Sequence, residues 1–229
     1  MKKIGLIGGV GWPSTIDYYR IINQEANKKF GNLCSPEILI YSLNFEPLMR
    51  LQYQGKWEES AQVLIQAAQS LEKAGADCVL ICSVTTNIPS KRVQEKISIP
   101  LLSIITPCAR IIQKMGLKTV GLLGTKATMG HSFFRDGLSK FGISVITPDE
   151  SERNVIHKVI YNELCKNEIK SESREKYLKI INALVSVGAE GVILGCTEIP
   201  LLISSADVNI PSFDITHLHA LEAFNFAIE

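Results

Sequence analysis

The sequence predicts an α/β protein made of two pseudo-symmetric α/β/α lobes, each on a parallel four-stranded sheet with an active-site cleft between them. Two observations carry this. Short apolar runs alternate with longer amphipathic ones, the pattern of right-handed βαβ crossovers. The chain also repeats itself at roughly 110 residues, about one domain length. Lys2-Lys3-Ile4-Gly5-Leu6-Ile7-Gly8-Gly9 returns as Lys118-Thr119-Val120-Gly121-Leu122-Leu123-Gly124-Thr125. Gly75-Ala76-Asp77-Cys78-Val79-Leu80-Ile81-Cys82 returns as Gly188-Ala189-Glu190-Gly191-Val192-Ile193-Leu194-Gly195-Cys196, and Ile99-Pro100-Leu101-Leu102 as Ile210-Pro211-Ser212-Phe213. The order is the same each time. The expected lobes are 1–104, completed by a C-terminal helix at 216–229, and 105–215.

Taken in order, residues 4–7, 38–41, 78–81 and 101–104 read as buried strands, being continuously apolar rather than alternating. Residues 120–123, 145–147, 191–194 and 212–214 are their counterparts. Leu64, Ala67, Ala68 and Leu71 mark the apolar face of one helix, which Gly75 ends; Tyr177, Ile180, Ile181 and Leu184 mark its counterpart, ended by Gly188. No low-complexity linker divides the halves, so close packing is expected.

Composition narrows the function classes. The 229 residues carry 24 Lys+Arg against 23 Asp+Glu, a net charge of +1, with 46% hydrophobic and 21% charged residues. This is a globular composition, not a disordered or collagenous one. Near-neutrality argues against a nucleic-acid or anionic-membrane partner. The apolar opening after Met1-Lys2-Lys3 breaks at Trp12-Pro13-Ser14-Thr15, too short for a secretory core. No run approaches the roughly 20 apolar residues of a membrane span. A cytoplasmic protein with reduced cysteines is the expectation.

Ligands of open parallel sheets bind beyond the carboxyl ends of strands. The segments there are Gly8-Gly9-Val10-Gly11, Cys82-Ser83-Val84-Thr85-Thr86-Asn87, Gly124-Thr125-Lys126-Ala127-Thr128 and Cys196-Thr197-Glu198. They are rich in glycine and hydroxyls, suited to holding a small carboxylate on backbone N–H groups. Val10, Gly11, Ser83, Thr85, Asn87, Thr125, Thr128, Thr197 and Glu198 are the candidate substrate contacts. Each half brings one cysteine to a matching place. A thiolate on one side of a tetrahedral carbon removes a proton, and a thiol on the other side returns one, inverting the centre. Helix N-termini and N–H groups are expected to lower both thiol pKa values. Cys82 and Cys196 are thus the candidate catalytic pair, while Cys34, Cys78, Cys108 and Cys165 read as structural.

Other motifs carry less. The glycines after the first strand do not form a dinucleotide fingerprint, and no phosphate-binding lysine follows. His217-Leu218-His219 lacks a companion cluster at metal-ligand spacing and reads as a helix start; His131 and His157 read as isolated and exposed. No metal site is expected.

The chain resembles the aspartate/glutamate racemase superfamily, its aspartate racemase branch above all. The resemblance rests on Gly5–Thr15 with Tyr18-Tyr19, on Gly121–Met129, on Leu194-Gly195-Cys196-Thr197-Glu198-Ile199-Pro200-Leu201-Leu202, and on Phe213–Ala220. It implies racemisation of an amino acid, aspartate first, by a cysteine pair without PLP or metal, in a homodimer. It assigns the two bases to Cys82 and Cys196, and places Lys166 where the branch has a lysine for the substrate's distal carboxylate; Arg50 is a weaker candidate. One departure stands out. The family's first motif runs Cys-x-Asn-Thr, often with a histidine two residues on; here Val84 replaces the amide and Asn87 the imidazole. Same-fold alternatives are maleate isomerase and hydantoin racemase chemistry. A two-lobed carboxylate-binding protein without catalysis is the alternative from another class.

Overall fold

The computed structural model describes all residues from Met1 to Glu229. In chain order the elements are β1 (Ile4–Gly8), α1 (Trp12–Phe30), β2 (Ile38–Ser42), α2 (Phe45–Tyr53), α3 (Trp57–Lys73), β3 (Cys78–Ile81), α4 (Ser90–Gln94), α5 (Thr106–Lys114), β4 (Thr119–Gly124), α6 (Lys126–Gly130), α7 (Ser132–Ser139), β5 (Ser144–Ile146), α8 (Glu150–Asn162), α9 (Ser171–Ser186), β6 (Gly191–Gly195), β7 (Ser212–Asp214) and α10 (Ile215–Ile228). Two compact units emerge: Met1–Ser103 with His219–Glu229, and Ile104–Leu218.

The first unit holds a parallel sheet in the order β2-β1-β3. Alternation along the strands sorts its side chains onto two faces. Ile4 and Leu6 of β1, with Cys78 and Leu80 of β3, join Tyr18, Ile21 and Ile22 of α1 and Ala220, Ala223 and Ala227 of α10. Ile7, Val79 and Ile81 join Leu64, Ala67, Ala68 and Leu71 of α3. This is an α/β/α sandwich with apolar side chains on both sides of the sheet.

Two expectations change here. The fourth strand shrinks to a single parallel bridge between Val79 and Leu101. Val79 N–H donates to the Pro100 carbonyl and Leu102 N–H to the Val79 carbonyl, both at 2.9 Å. Pro100 has no N–H for the rung before, and Thr106 soon opens α5 with Pro107 in its first turn. Strand β2 is an edge, and its Ile40 and Tyr41 are exposed rather than buried.

The second unit holds a four-stranded parallel sheet, β5-β4-β6-β7. Leu123, Val192 and Leu194 pack with Ile156, Val159 and Ile160 of α8 and Tyr177, Ile180, Ile181 and Leu184 of α9. Helix α8 starts with a capping box: Asp149 Oδ1 accepts from Glu152 N–H at 2.8 Å, and Glu152 Oε2 accepts from Asp149 N–H at 3.2 Å.

The repeat seen in sequence has a structural counterpart in each unit. Asp77 Oδ2 accepts from Lys3 N–H at 2.6 Å; Glu190 Oε2 accepts from Lys118 and Thr119 N–H at 2.6 and 2.8 Å. In both, an acid just before the third strand anchors the start of the first. A Cβ on Gly8 would stand 2.4 Å from Thr15 Cγ2, and one on Gly124 would stand 2.9 Å from Thr128 Cγ2. Glycine is required at both places so that the helix after the strand can seat its threonine.

Candidate active site

Cys82 follows β3 directly. Its N–H continues the ladder to the Ile7 carbonyl at 3.0 Å, and its side chain is fully buried with the α1 and α10 cluster. The loop after it is braced from within. Asn87 Nδ2 donates to the Ile81 carbonyl at 3.1 Å and to the Ser83 carbonyl at 2.5 Å, and Thr86 Oγ1 donates to Ser83 Oγ at 3.0 Å. The Asn87 amide, expected to meet substrate, is therefore spent holding the Cys82 loop. Val84 is buried as well.

Before α1, Gly9 and Gly11 take φ values of 75° and 91°, the left-handed region. A Cβ on Gly9 would lie 2.2 Å from the Leu43 carbonyl oxygen. Gly9 N–H donates to Thr15 Oγ1 at 3.0 Å. The Val10 side chain sits in the apolar cluster of Leu48, Val79 and Ile81, so only its backbone is available to a ligand.

In the second unit Cys196 follows β6 and is buried. Its thiol donates to Glu198 Oε2 at 2.9 Å, and Thr197 Oγ1 donates to the same oxygen at 2.7 Å. Glu198 is itself 7% exposed. Thr125 caps α6: its Oγ1 accepts from Thr128 N–H and lies 3.1 Å from Thr128 Oγ1. Lys166 is exposed on the 3-10 turn Leu164–Lys166 after α8. The charge of Glu198 is felt at Cys165 on that turn, which puts the turn beside the Cys196 loop. Arg50 pairs with Glu46 at 2.6 Å on the surface of α2.

The register of the two sheets refines the pairing of the cysteines. Ile4 faces Cys78 in the first sheet, and its repeat partner Val120 faces Gly191 in the second. Cys78 thus matches Gly191, so Cys82 matches Gly195 and Ser83 matches Cys196. The cysteines are one residue out of step rather than at equivalent positions. Alternation then sends them to different layers: Cys82 to the α1 side, Cys196 to the cluster of α8 and α9.

Thiol ionisation also departs from expectation. Burial pushes the Cys82 thiol well up, and burial followed by the Glu198 charge does the same to Cys196. Desolvation of a thiolate outweighs the local N–H groups. Cys78 and Cys108 are pushed up to about 12 by burial. None of the six cysteines is in a disulfide.

His219, read from sequence as part of a helix start, does lie in the first turns of α10 and is fully buried between Tyr18 Oη at 2.9 Å and the Leu102 carbonyl at 3.0 Å. His157, expected to be isolated and exposed, is instead half-buried, and its Nδ1 accepts from Lys126 N–H at 3.3 Å. The apolar company of His219 in α10 is the sequence signal for its burial.

With this geometry, similarity to known proteins is specific. The chain is 42% identical to a candidate Asp/Glu racemase of Yersinia pestis over the full length of both chains, with a TM-score of 0.94. It is 37% identical to an aspartate racemase homologue from Pyrococcus horikoshii, again over both full lengths, with a TM-score of 0.88. Among curated proteins it is 23% identical to the broad specificity amino-acid racemase of Bacillus subtilis over 92% of each chain. The Asp/Glu/Hydantoin racemase model matches residues 7–223. The chain belongs to the Asp/Glu/Hydantoin racemase family and is an isomerase of the racemase type.

Proposed function

We propose that the protein interconverts L- and D-aspartate with Cys82 and Cys196 as its two bases, without PLP. The observation that carries this is a buried, disulfide-free cysteine just beyond a buried strand in each unit of a racemase-family chain. One sulfur, as thiolate, takes the α-proton: the Cα–H bond breaks, an S–H bond forms, and the electron pair spreads into the substrate carboxylate. The other thiol then gives its proton to the opposite side of Cα and is left as thiolate. Reversal exchanges the roles. Backbone N–H groups of the loops at Gly11 and Thr197, with the hydroxyls of Thr85, Thr125 and Thr128, are the proposed holders of the α-carboxylate as its charge grows; the Ser83 N–H, expected among them, donates instead to the Ile81 carbonyl at 2.8 Å. The reading requires the two units to present Cys82 and Cys196 to a shared cleft. It takes the compartment to be the cytoplasm, where six unpaired thiols stay reduced.

Chiral chromatography of aspartate incubated with the protein, PLP absent and chelator present, tests the reading. Cys82→Ala and Cys196→Ala are each expected to abolish net racemisation while a one-sided α-proton exchange survives. Wild-type rates in both variants would sink the two-base scheme. The distal carboxylate is assigned to Lys166. Lys166→Met is expected to raise KM for aspartate by about ten-fold or more, an ion-pair's worth, and to leave alanine unaffected.

A second reading is broad specificity. It is favoured by Val84, an apolar residue in place of the family amide, and by likeness to a broad specificity racemase. A panel of D- and L-amino acids, with hydantoins and maleate included, separates the two readings.

A further inference from the structure

The turn after β4 carries two of the proposed carboxylate holders, Thr125 and Thr128, and a residue of another helix pins it. Lys126 opens α6, so its N–H has no partner within that helix. This N–H donates to Nδ1 of His157 on α8, 31 residues away, at 3.3 Å. Thr128 N–H goes to Thr125 Oγ1 at 3.1 Å. The turn is thus held from inside by its own cap and from outside by one imidazole. A ring nitrogen that accepts bears no proton, so the proton of the neutral ring sits on Nε2. Helix α8 is a firm base for the ring. Its capping box fixes its start, and Ile156, Val159 and Ile160 bury its inner side. Tyr161, one turn on, packs against the ring with centroids 4.8 Å apart.

We propose that His157 is a positioning residue for racemisation: as a neutral imidazole it sets the Thr125–Thr128 turn through the Lys126 amide, and protonation releases the turn. This rests on the reading that Thr125 and Thr128 hold the α-carboxylate. Protonation places an N–H on Nδ1, facing the Lys126 N–H. Two donors then meet and the bond is lost. The threonine hydroxyls lose their fixed spacing, and donors stabilise a growing charge only when they are set in advance.

The surroundings favour the neutral ring. Burial lowers its pKa below 6.5, and the Lys126 charge adds to this. The bond is therefore complete at neutral pH and is lost as pH falls through the lowered value. On α8 itself, Arg153 donates to the Pro148 carbonyl at 2.6 Å and to Thr147 Oγ1 at 2.8 Å. With Lys126 and Glu150 it lines a cavity of about 440 Å³. Other elements of this unit also pack on α8. Strand β4 brings no titratable side chain. Helix α9 brings Tyr177, whose hydroxyl donates to the Ile156 carbonyl at 3.1 Å. The turn Leu164–Lys166 brings Cys165 and Lys166, and Glu163 before it pairs with Lys170. Among all these charges the ring responds to Lys126.

Racemisation of aspartate by three forms tests the proposal: the wild type, His157→Leu, which has no acceptor, and His157→Asn, whose oxygen accepts but does not titrate. At pH 7.5, His157→Leu is expected to lower kcat/KM by about ten-fold or more, the scale of one hydrogen bond at a charged site. His157→Asn should stay within about three-fold of the wild type. The ring's own titration is followed by NMR. As the ring protonates, the wild type should fall towards His157→Leu, while His157→Asn keeps its lead over His157→Leu. Comparing the forms at each pH cancels the ionisation of the thiols, which all three share. A gap between wild type and His157→Leu that stays constant through ring protonation overturns the proposal, because a purely structural role would not titrate. A loss in His157→Asn equal to that in His157→Leu also overturns it.

The amide gives a readout that needs no turnover. Hydrogen exchange at Lys126 N–H, followed by NMR at neutral pH, is expected to quicken about ten-fold or more in His157→Leu and to stay slow in His157→Asn. Should Thr128→Val leave kcat/KM unchanged, or should aspartate not be racemised, the carboxylate reading fails on its own account. The amide then decides whether His157 holds the turn, and equal exchange in all three forms overturns the proposal.

Discussion

His219 shows how a polar residue can be fixed by its partners. Its Nε2 lies 3.0 Å from the Leu102 carbonyl, which can only accept, so Nε2 carries the proton. Nδ1 is then the acceptor for the Tyr18 hydroxyl at 2.9 Å. Full burial lowers the ring's pKa from 6.5 to about 4, against a smaller upward pull from the Leu102 carbonyl. The folded protein therefore holds a neutral ring where the unfolded chain would protonate. Stability from this site is complete above the unfolded value and is lost as pH falls from about 6.5 towards 4, about 3 kcal/mol in all. Urea unfolding at pH 7 and at pH 4.5 measures it. His219→Gln keeps one donor and one acceptor but does not titrate, so its stability should fall less over that interval. Equal falls in the two proteins would mean that the ring is not held neutral.

At the scale of the element, what could be read in advance depended on burial. Strands β3 and β6 lie where their apolar runs place them, because strands enclosed on both faces have no room for polar residues. Helices α3 and α9 follow their periodic apolar faces, and Gly75 and Gly188 end them with φ values of 90° and 103°. Strand β2 was legible as a strand but not as an exposed edge, since edge position depends on strand order. The one-residue slip between the cysteines was in fact present in the sequence. The Gly-Ala-acid turns recur at one spacing and the cysteines at a spacing one residue longer, a sign that only the sheet register makes meaningful. Partners of side chains were the hidden part. Nothing in Asn87 alone says that its amide braces the Cys82 loop, nor in Glu198 that it meets a neighbour's thiol rather than a ligand.

For the whole molecule, helix α1 poses a question that its own fold does not answer. Its inner face buries Tyr18, Ile21, Ile22 and Ala26. Its outer face carries Trp12, Ile16 and Tyr19, spaced to lie along one side and exposed by 68, 54 and 49%. An exposed apolar stripe of this kind on a surface helix is a candidate for association. The expected occupant is the same stripe of a second copy, since self-complementary contacts about a two-fold axis give closed dimers. We expect sedimentation at micromolar concentration to find a dimer. Ile16→Glu with Tyr19→Glu places like charges across the axis and should weaken association by about 100-fold or more, the scale of losing a central apolar anchor. The doubly substituted chain should run as a monomer with unchanged circular dichroism. An unchanged dimer would put the interface elsewhere, and a wild-type monomer would leave the stripe facing water.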